Sequence, residues 1–247
     1  MPPDLGARHG AGVQESGLIM NAPEQHDMLI IPDDSSIAQR LICRVNSVAI
    51  KAAFPFIAEN DVRFYLCGVN IRPLADGSVM VVATDGHRFI IVRDPKGYAE
   101  TEIIASVSKD AIKHAGPAVT FDVMNNGSAT WNDAAVQPVF VQPGKSVIDG
   151  DFPRIETVVD CTGYLEGISG AVNMNFLADA LKVKFGTKAP AIRFFSRDED
   201  SPLLFTMSGI GEVEVIGGIM KVREQSDWLP TWLPEPGEFK LQQEASS

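Results

Sequence analysis

Cysteine is scarce. Cys43, Cys67 and Cys161 are scattered through 247 residues with no Cys-x-x-Cys spacing. That argues against a disulfide framework and against a structural zinc site. No apolar run reaches the length of a membrane span, and no continuous apolar segment of the secretory kind opens the chain. A reducing, cytoplasmic setting is the expectation, with no membrane contact. Catalytic signatures are missing as well. There is no Gly-x-Ser-x-Gly elbow, no phosphate loop and no Gly-x-Gly-x-x-Gly fingerprint. The run SGIGEVEVIGG has a Gly-x-Gly but lacks the third glycine and the following helix. His9, His26 and His114 form no His-x-His or His-Glu-x-x-His pattern, so a metal has no ligand set. Neither a cofactor nor a metal is expected.

Positive charge is also in short supply, with a formal net charge of -11. Its distribution matters more than its size. Residues 1–36 hold six acids and one Arg, and residues 224–247 hold five acids and one Lys. The acidity is largely in the tails, which leaves room for a locally basic surface between them. Residues 1–36, rich in Gly, Pro and acids, read as a disordered extension. The tail EQSDWLPTWLPEPGEFKLQQEASS carries two Trp-Leu-Pro repeats. They fit either a strap packed on the domain or a short docking motif.

What is present is a recurring order of elements. RLICRV is a strand, NSVAIKAAFPFIAEN a short helix capped by Asn46 or Ser47 and disturbed by Pro55, and DVRFYLCGVNIRPL, VMVVAT and HRFIIVRD are strands. The order recurs from ETEIIASV through the helix SKDAIKHAG, and again from LEGISGAVNM through the helix NFLADALKVKFG. Three βαβββ-like units result, near residues 40–100, 101–158 and 162–223. Each helix carries positive charge: Lys51 on the first, Lys109 and Lys113 one turn apart on the second, and Lys182, Lys184 and Lys188 in or after the third. These are either ordinary solvated faces or a basic surface for a polyanion.

Asp85, Gly86, His87 and Arg88 concentrate polar chemistry between apolar runs. An enzyme reading would give Asp85 and His87 acid–base work. The favoured reading is a hairpin joined by Asp85-Gly86, since Asp-Gly between β-branched strands is a strong turn signal. Arg63, Phe64 and Tyr65 cluster at the start of a strand. They read either as strand packing or as a base-stacking platform beside a phosphate contact.

Three stretches, in order, resemble the bacterial DNA polymerase III β subunit, the DNA sliding clamp family. They are FPFIAENDVRFYLCGVNI…VMVVATDGHRF, KSVIDGDFPRIETVV and VIGGIMKV. The resemblance implies an α+β DNA-clamp fold of repeated βαβββ units, with helices on one face of antiparallel sheets. It implies a complete domain over 37–158 and a half-domain over 159–223, followed by the tail 224–247. It also implies a non-enzymatic processivity factor. Such a factor encircles double-stranded DNA without reading sequence, as a homo-oligomeric ring, and tethers a DNA polymerase and clamp-loader subunits through short peptides. A monomeric clamp mimic that binds those peptides without encircling DNA is the alternative.

Carried over residue by residue, the hydrophobic peptide cleft would include Leu66, Thr84, Gly86, His87, Arg88, Phe89, Pro153, Val158, Ile216, Ile219 and Met220. DNA contacts would include Asn60, Arg63, Phe64, Tyr65 and Lys109; charge and helix position add Lys113, Lys182 and Lys184. The chain departs from the pattern at Cys67, Thr157 and Gly217–Gly218, where the family has Asn, Arg and part of a Met-Pro pair. It also lacks the family's first domain and half of its last. Three half-domains per chain would make a ring of twelve halves from four protomers.

Overall fold

A computed structural model describes residues 39–157, 159–180, 182–183 and 191–223. The expected extension 1–36, the tail 224–247, Val158, Lys184 and Lys188 lie outside the described residues.

The first unit runs β1 (Leu41–Asn46), α1 (Ser47–Ala53), β2 (Val69–Pro73), β3 (Val79–Thr84), β4 (Arg88–Asp94) and β5 (Tyr98–Ala99). The second runs β6 (Ile103–Ala105), a 3-10 turn (Ala111–His114), β7 (Thr120–Met124), β8 (Ala129–Asn132), β9 (Pro138–Gln142) and β10 (Val147–Ile148). After β11 (Leu165–Glu166), the third runs β12 (Ala171–Val172), α2 (Met174–Ala180), β13 (Ala191–Ser196), β14 (Leu203–Ser208), β15 (Glu214–Ile219) and β16 (Lys221–Val222). This is the antiparallel α+β pattern read from the sequence, with a correction at the second helix. SKDAIKHAG does not form an α-helix. Only Ala111–His114 coil, as 3-10, with no side-chain cap, and Ala115 is already extended ahead of Gly116-Pro117. So short a segment cannot repay helix nucleation.

The sheets interlock. One is ordered β5-β1-β7-β8-β9 and the other β10-β6-β2-β3-β4-β15-β14-β13-β11. The first strand of the first unit thus sits beside the second unit's strands, and β6 sits beside the first unit's. In the third unit β12 pairs only with β16 among the described residues. α1 begins where Asn46 accepts a hydrogen bond from the Val48 N–H at 2.9 Å. Pro55 does shorten it: residues Phe54–Phe56 continue as 3-10, with Pro55 in the first turn. Six of its seven residues are buried, which explains its near-uniform apolar sequence. The main core wraps around it, drawing Val45, Phe121 and Trp131 from one sheet and Ile71, Ile90 and Phe205 from the other. Each such side chain contributes about 1.5–3 kcal/mol by leaving water.

Candidate partner cleft and nucleic-acid face

The β3–β4 connection is three residues long, Asp85, Gly86 and His87, rather than the expected two. His87 therefore belongs to the turn and not to the strand. Asp85 Oδ1 accepts hydrogen bonds from the backbone N–H groups of His87 (2.9 Å) and Arg88 (3.1 Å). Thr84 Oγ1 accepts from Gly86 N–H at 3.0 Å and donates to the Arg88 carbonyl at 2.7 Å. Gly86 takes φ +93°, a conformation that suits glycine. The polar residues that suggested chemistry are thus occupied in closing a turn.

Arg88 is buried, and its guanidinium is shared. Nε donates to Asp85 Oδ2 at 2.9 Å, and Nη1 pairs with Asp179 on α2. Its carbon Cζ lies 4.9 Å from the centre of the Phe176 ring and 5.4 Å from that of Phe56. His87 stacks on Phe176, with ring centres 5.8 Å apart. Arg88 is therefore a pin joining the hairpin to α2. Burial raises the Asp179 carboxyl, but hydrogen bonds from Lys182 and Arg88 outweigh it and hold the group below its usual range. A carboxylate lowered on folding stabilises the fold above its unfolded value, about 4, and loses that contribution as pH falls through the lowered one. We expect hydrogen-exchange protection of α2 amides to fall below about pH 4 before that of α1. In Asp179→Asn this acid-sensitive step should be absent; its persistence there would reject the assignment.

β15 lies along β4 in antiparallel register, with Ile219 opposite Arg88, Gly218 opposite Phe89 and Ile216 opposite Ile91. Just beyond it, Met220 N–H donates to the His87 carbonyl at 2.8 Å. Two stretches far apart in sequence therefore meet at one point, Thr84–Phe89 and Ile216–Met220. Leu66 and Phe89 are buried in a second apolar cluster on the outer face of the sheet, and Ile216 packs against it. Phe152 and Leu204 complete its centre; neither stands out in the sequence. Ile219 faces the other way, into the main core, whereas Met220 is 44% exposed. Pro153 is exposed, and its carbonyl accepts from Arg72 at 3.3 Å. Arg72 also bonds Glu102 at 3.0 Å and pairs with Glu156, tying the segment after β10 to the sheet. An open groove of about 720 Å³, lined by Glu102, Ile104, Ile148, Phe152, Pro153 and Arg154, follows that segment.

The set expected to contact DNA is less coherent. Phe64–Cys67 is a 3-10 turn, not the start of a strand; β2 begins at Val69. Asn60 takes φ 54°, and Val62 and Phe64 just after it are exposed. Arg63 is exposed but forked onto Asp61 at 2.7 Å, with a further bond to the Asp85 carbonyl at 3.4 Å. Hydrogen bonds from Arg63 lower the Asp61 carboxyl to about 2. Tyr65 is half-buried beside the outer cluster. Lys109 is exposed and precedes the 3-10 turn, so it does not share a helix face with Lys113. Lys113 pairs with Asp110 at 2.6 Å, and Lys182 pairs with Asp179.

No protein-family model matches the chain, and no curated protein matches its sequence. Solved structures do. A Pseudomonas aeruginosa DNA polymerase sliding clamp, crystallised with a ligand, is 16% identical with a TM-score of 0.54. A Helicobacter pylori β clamp in complex with diflunisal is 13% identical with a TM-score of 0.55, and Caulobacter crescentus pol III β is 18% identical with a TM-score of 0.53. Each likeness covers 78% of this chain and 69% of the other. The shared property is the fold, and among the described residues no helix is long and apolar enough to cross a membrane.

Proposed function

We propose that this chain, which has the fold of the bacterial DNA sliding clamps, is a sliding-clamp-like processivity factor. In this reading it comprises a complete domain over 37–158 and a half-domain over 159–223. Copies assemble into a ring around double-stranded DNA and tether a DNA polymerase through a peptide cleft. It performs no chemistry itself. The observation that carries the reading is the register that sets the 84–89 hairpin beside 216–220 within a clamp fold. Exposed Met220, Pro153 and the rim of the outer cluster supply apolar contacts for a short hydrophobic peptide. Lys109, Lys113 and Lys182 face phosphate without sequence preference, and the ion pairs of the last two are weak enough to exchange partners.

The same pairing of Lys113 and Lys182 with carboxylates favours a second reading, a monomeric clamp mimic that offers the cleft alone. One experiment separates them. The purified chain is mixed with nicked circular or linearised plasmid and passed through a sizing column, and in parallel titrated with a hydrophobic clamp-binding peptide. A ring is retained on circles and runs off linear ends. Peptide binding that is lost in Met220→Arg, with no topological retention and a monomeric mass, would select the mimic and reject the ring.

A further inference from the structure

The first and third units are built alike at one end. Asn46 caps α1, and Asn173 caps α2 in the same way, its Oδ1 accepting from the Asn175 N–H at 2.9 Å. β1 pairs with β5 as β12 pairs with β16. Val45 and Val172, one position before each cap, both pack into the main core. What covers the two ends differs. In the first unit β7 lies along the other side of β1, with Phe121 opposite Val45 and Asp122 opposite Arg44. The segment before β7 closes over the helix start: Ser47 N–H donates to the Val119 carbonyl and Ser47 Oγ to that of Gly116, both at 2.9 Å. Six of the seven α1 residues are buried. In the third unit no described strand lies on that side of β12. Only one of the seven α2 residues is buried, and Met174, in the place of Ser47, is 82% exposed.

We propose that the chain's own C-terminal segment, residues 224–247, covers this face, with 238–242 pairing along β12 in the place that β7 takes along β1. The occupant follows from sequence and from where β16 ends. Residues 238–242 read Glu-Phe-Lys-Leu-Gln, an alternation that suits a half-buried strand, and they repeat the polarity of Thr-Phe-Asp-Val in β7. Strands on either side of β12 run parallel to each other, and such a pair needs a crossover of about a dozen residues or more. β16 ends at Val222, and fifteen residues, 223–237, separate it from Glu238. That crossover holds both Trp-Leu-Pro repeats. Leu233 stands five positions before Glu238, as Ala115, which packs on the main core, stands five before Thr120. Trp232 and Leu233 thus supply the apolar cover that Met174 lacks. In this register Phe239 sits opposite Val172 on the core face. Lys240 sits opposite Ala171 on the other face, as Asp122 sits opposite Arg44. A tail so placed closes the third unit whether the chain works as a ring subunit or as a mimic.

The test is hydrogen exchange on the full chain, without DNA or peptide, over a wide range of protein concentration. Alternate amides in 238–242 should exchange at least about tenfold more slowly than in a synthetic 224–247 peptide, at every concentration. Phe239→Asp should remove that protection and speed exchange in β12 and at the start of α2, with β1 and α1 unchanged. Ala171→Lys, which sets like charges across the pair, should lower the protection about threefold, and A171K/K240E should restore it. Free-chain exchange at 238–242 in the wild type overturns the proposal. So does protection that appears only as the chain self-associates, which makes a second copy the occupant. Protection that survives Phe239→Asp, or a charge exchange that restores nothing, overturns it too. None of these readouts involves DNA. Retention on circular plasmid can therefore fail while the tail docks, or succeed while it does not, and the two readings fall separately.

Discussion

Gly217→Ala is expected to lower stability by about 3 kcal/mol, the upper range for overpacking a filled core. A Cβ there would lie 2.1 Å from Phe205 Cζ. Phe205 has no room to yield: it is fully buried and packs against Phe56 and Phe194 at 6.1 and 6.4 Å between ring centres. On the opposite face of the same strand, a Cβ at Gly218 would lie 2.4 Å from the Phe89 ring. Each glycine sits directly across from the phenylalanine that covers it. The pair therefore allows aromatic rings to close over the backbone at the seam. Urea titration checks the size of the effect, and a double-mutant cycle with Phe205→Leu checks its cause. If the clash is the cause, the two losses should fall short of additivity, because the smaller side chain makes room for the new methyl. Gly217→Ala unfolding at the wild-type urea midpoint would reject the account.

The second large effect is expected at Arg88. Arg88→Ala should cost about 3 kcal/mol, because removing one member of a buried ion pair strands its partners. Here those partners are Asp85 and Asp179. Arg88→Lys should recover little of it, since an ammonium cannot fork between two carboxylates as a guanidinium does. Urea unfolding measures the loss, and hydrogen exchange should show it concentrated in α2 and the 84–88 turn. An Arg88→Lys variant of wild-type stability would contradict the forked arrangement. It follows that lost peptide binding in an Arg88 variant would say little about the proposed cleft. Met220, exposed and outside the core, is the cleaner probe.

The strand pattern was legible because alternation and turn chemistry are local. Leu41–Asn46, Val79–Thr84 and Leu203–Ser208 fall where their β-branched and aromatic residues place them. The Asn46 cap is local too, as one side chain reaches an amide two residues on. Three misreadings have separate causes. Positive charge and mixed polarity made SKDAIKHAG look helical, but only packing could have sustained a helix of that length. Phe64–Cys67 has strand-like residues in a 3-10 turn, which buries Leu66 in the outer cluster. The two-residue hairpin became three because the Asp85 carboxylate caps both His87 and Arg88. At the candidate cleft, the hairpin was visible in sequence but the burial of Arg88 was not. Its partner Asp179 lies 91 residues away, and sequence spacing carries no trace of such a contact. Ile219 likewise reads as one more apolar residue of its strand until pairing fixes which face it takes.

The seam between β4 and β15 also has a consequence in time. Arg93 and Glu214, which bond across it, are separated by 121 positions. At a synthesis rate of about 5–20 residues per second, the edge of β4 waits on the order of 10 s for its partner to be made. Through that interval a nascent chain presents an unpaired apolar strand, and closure then requires a long-range contact of the kind that slows folding. The glycines that let the seam close so tightly thus leave the growing polypeptide dependent on a late-made strand, and exposed to stray strand pairing until that strand arrives.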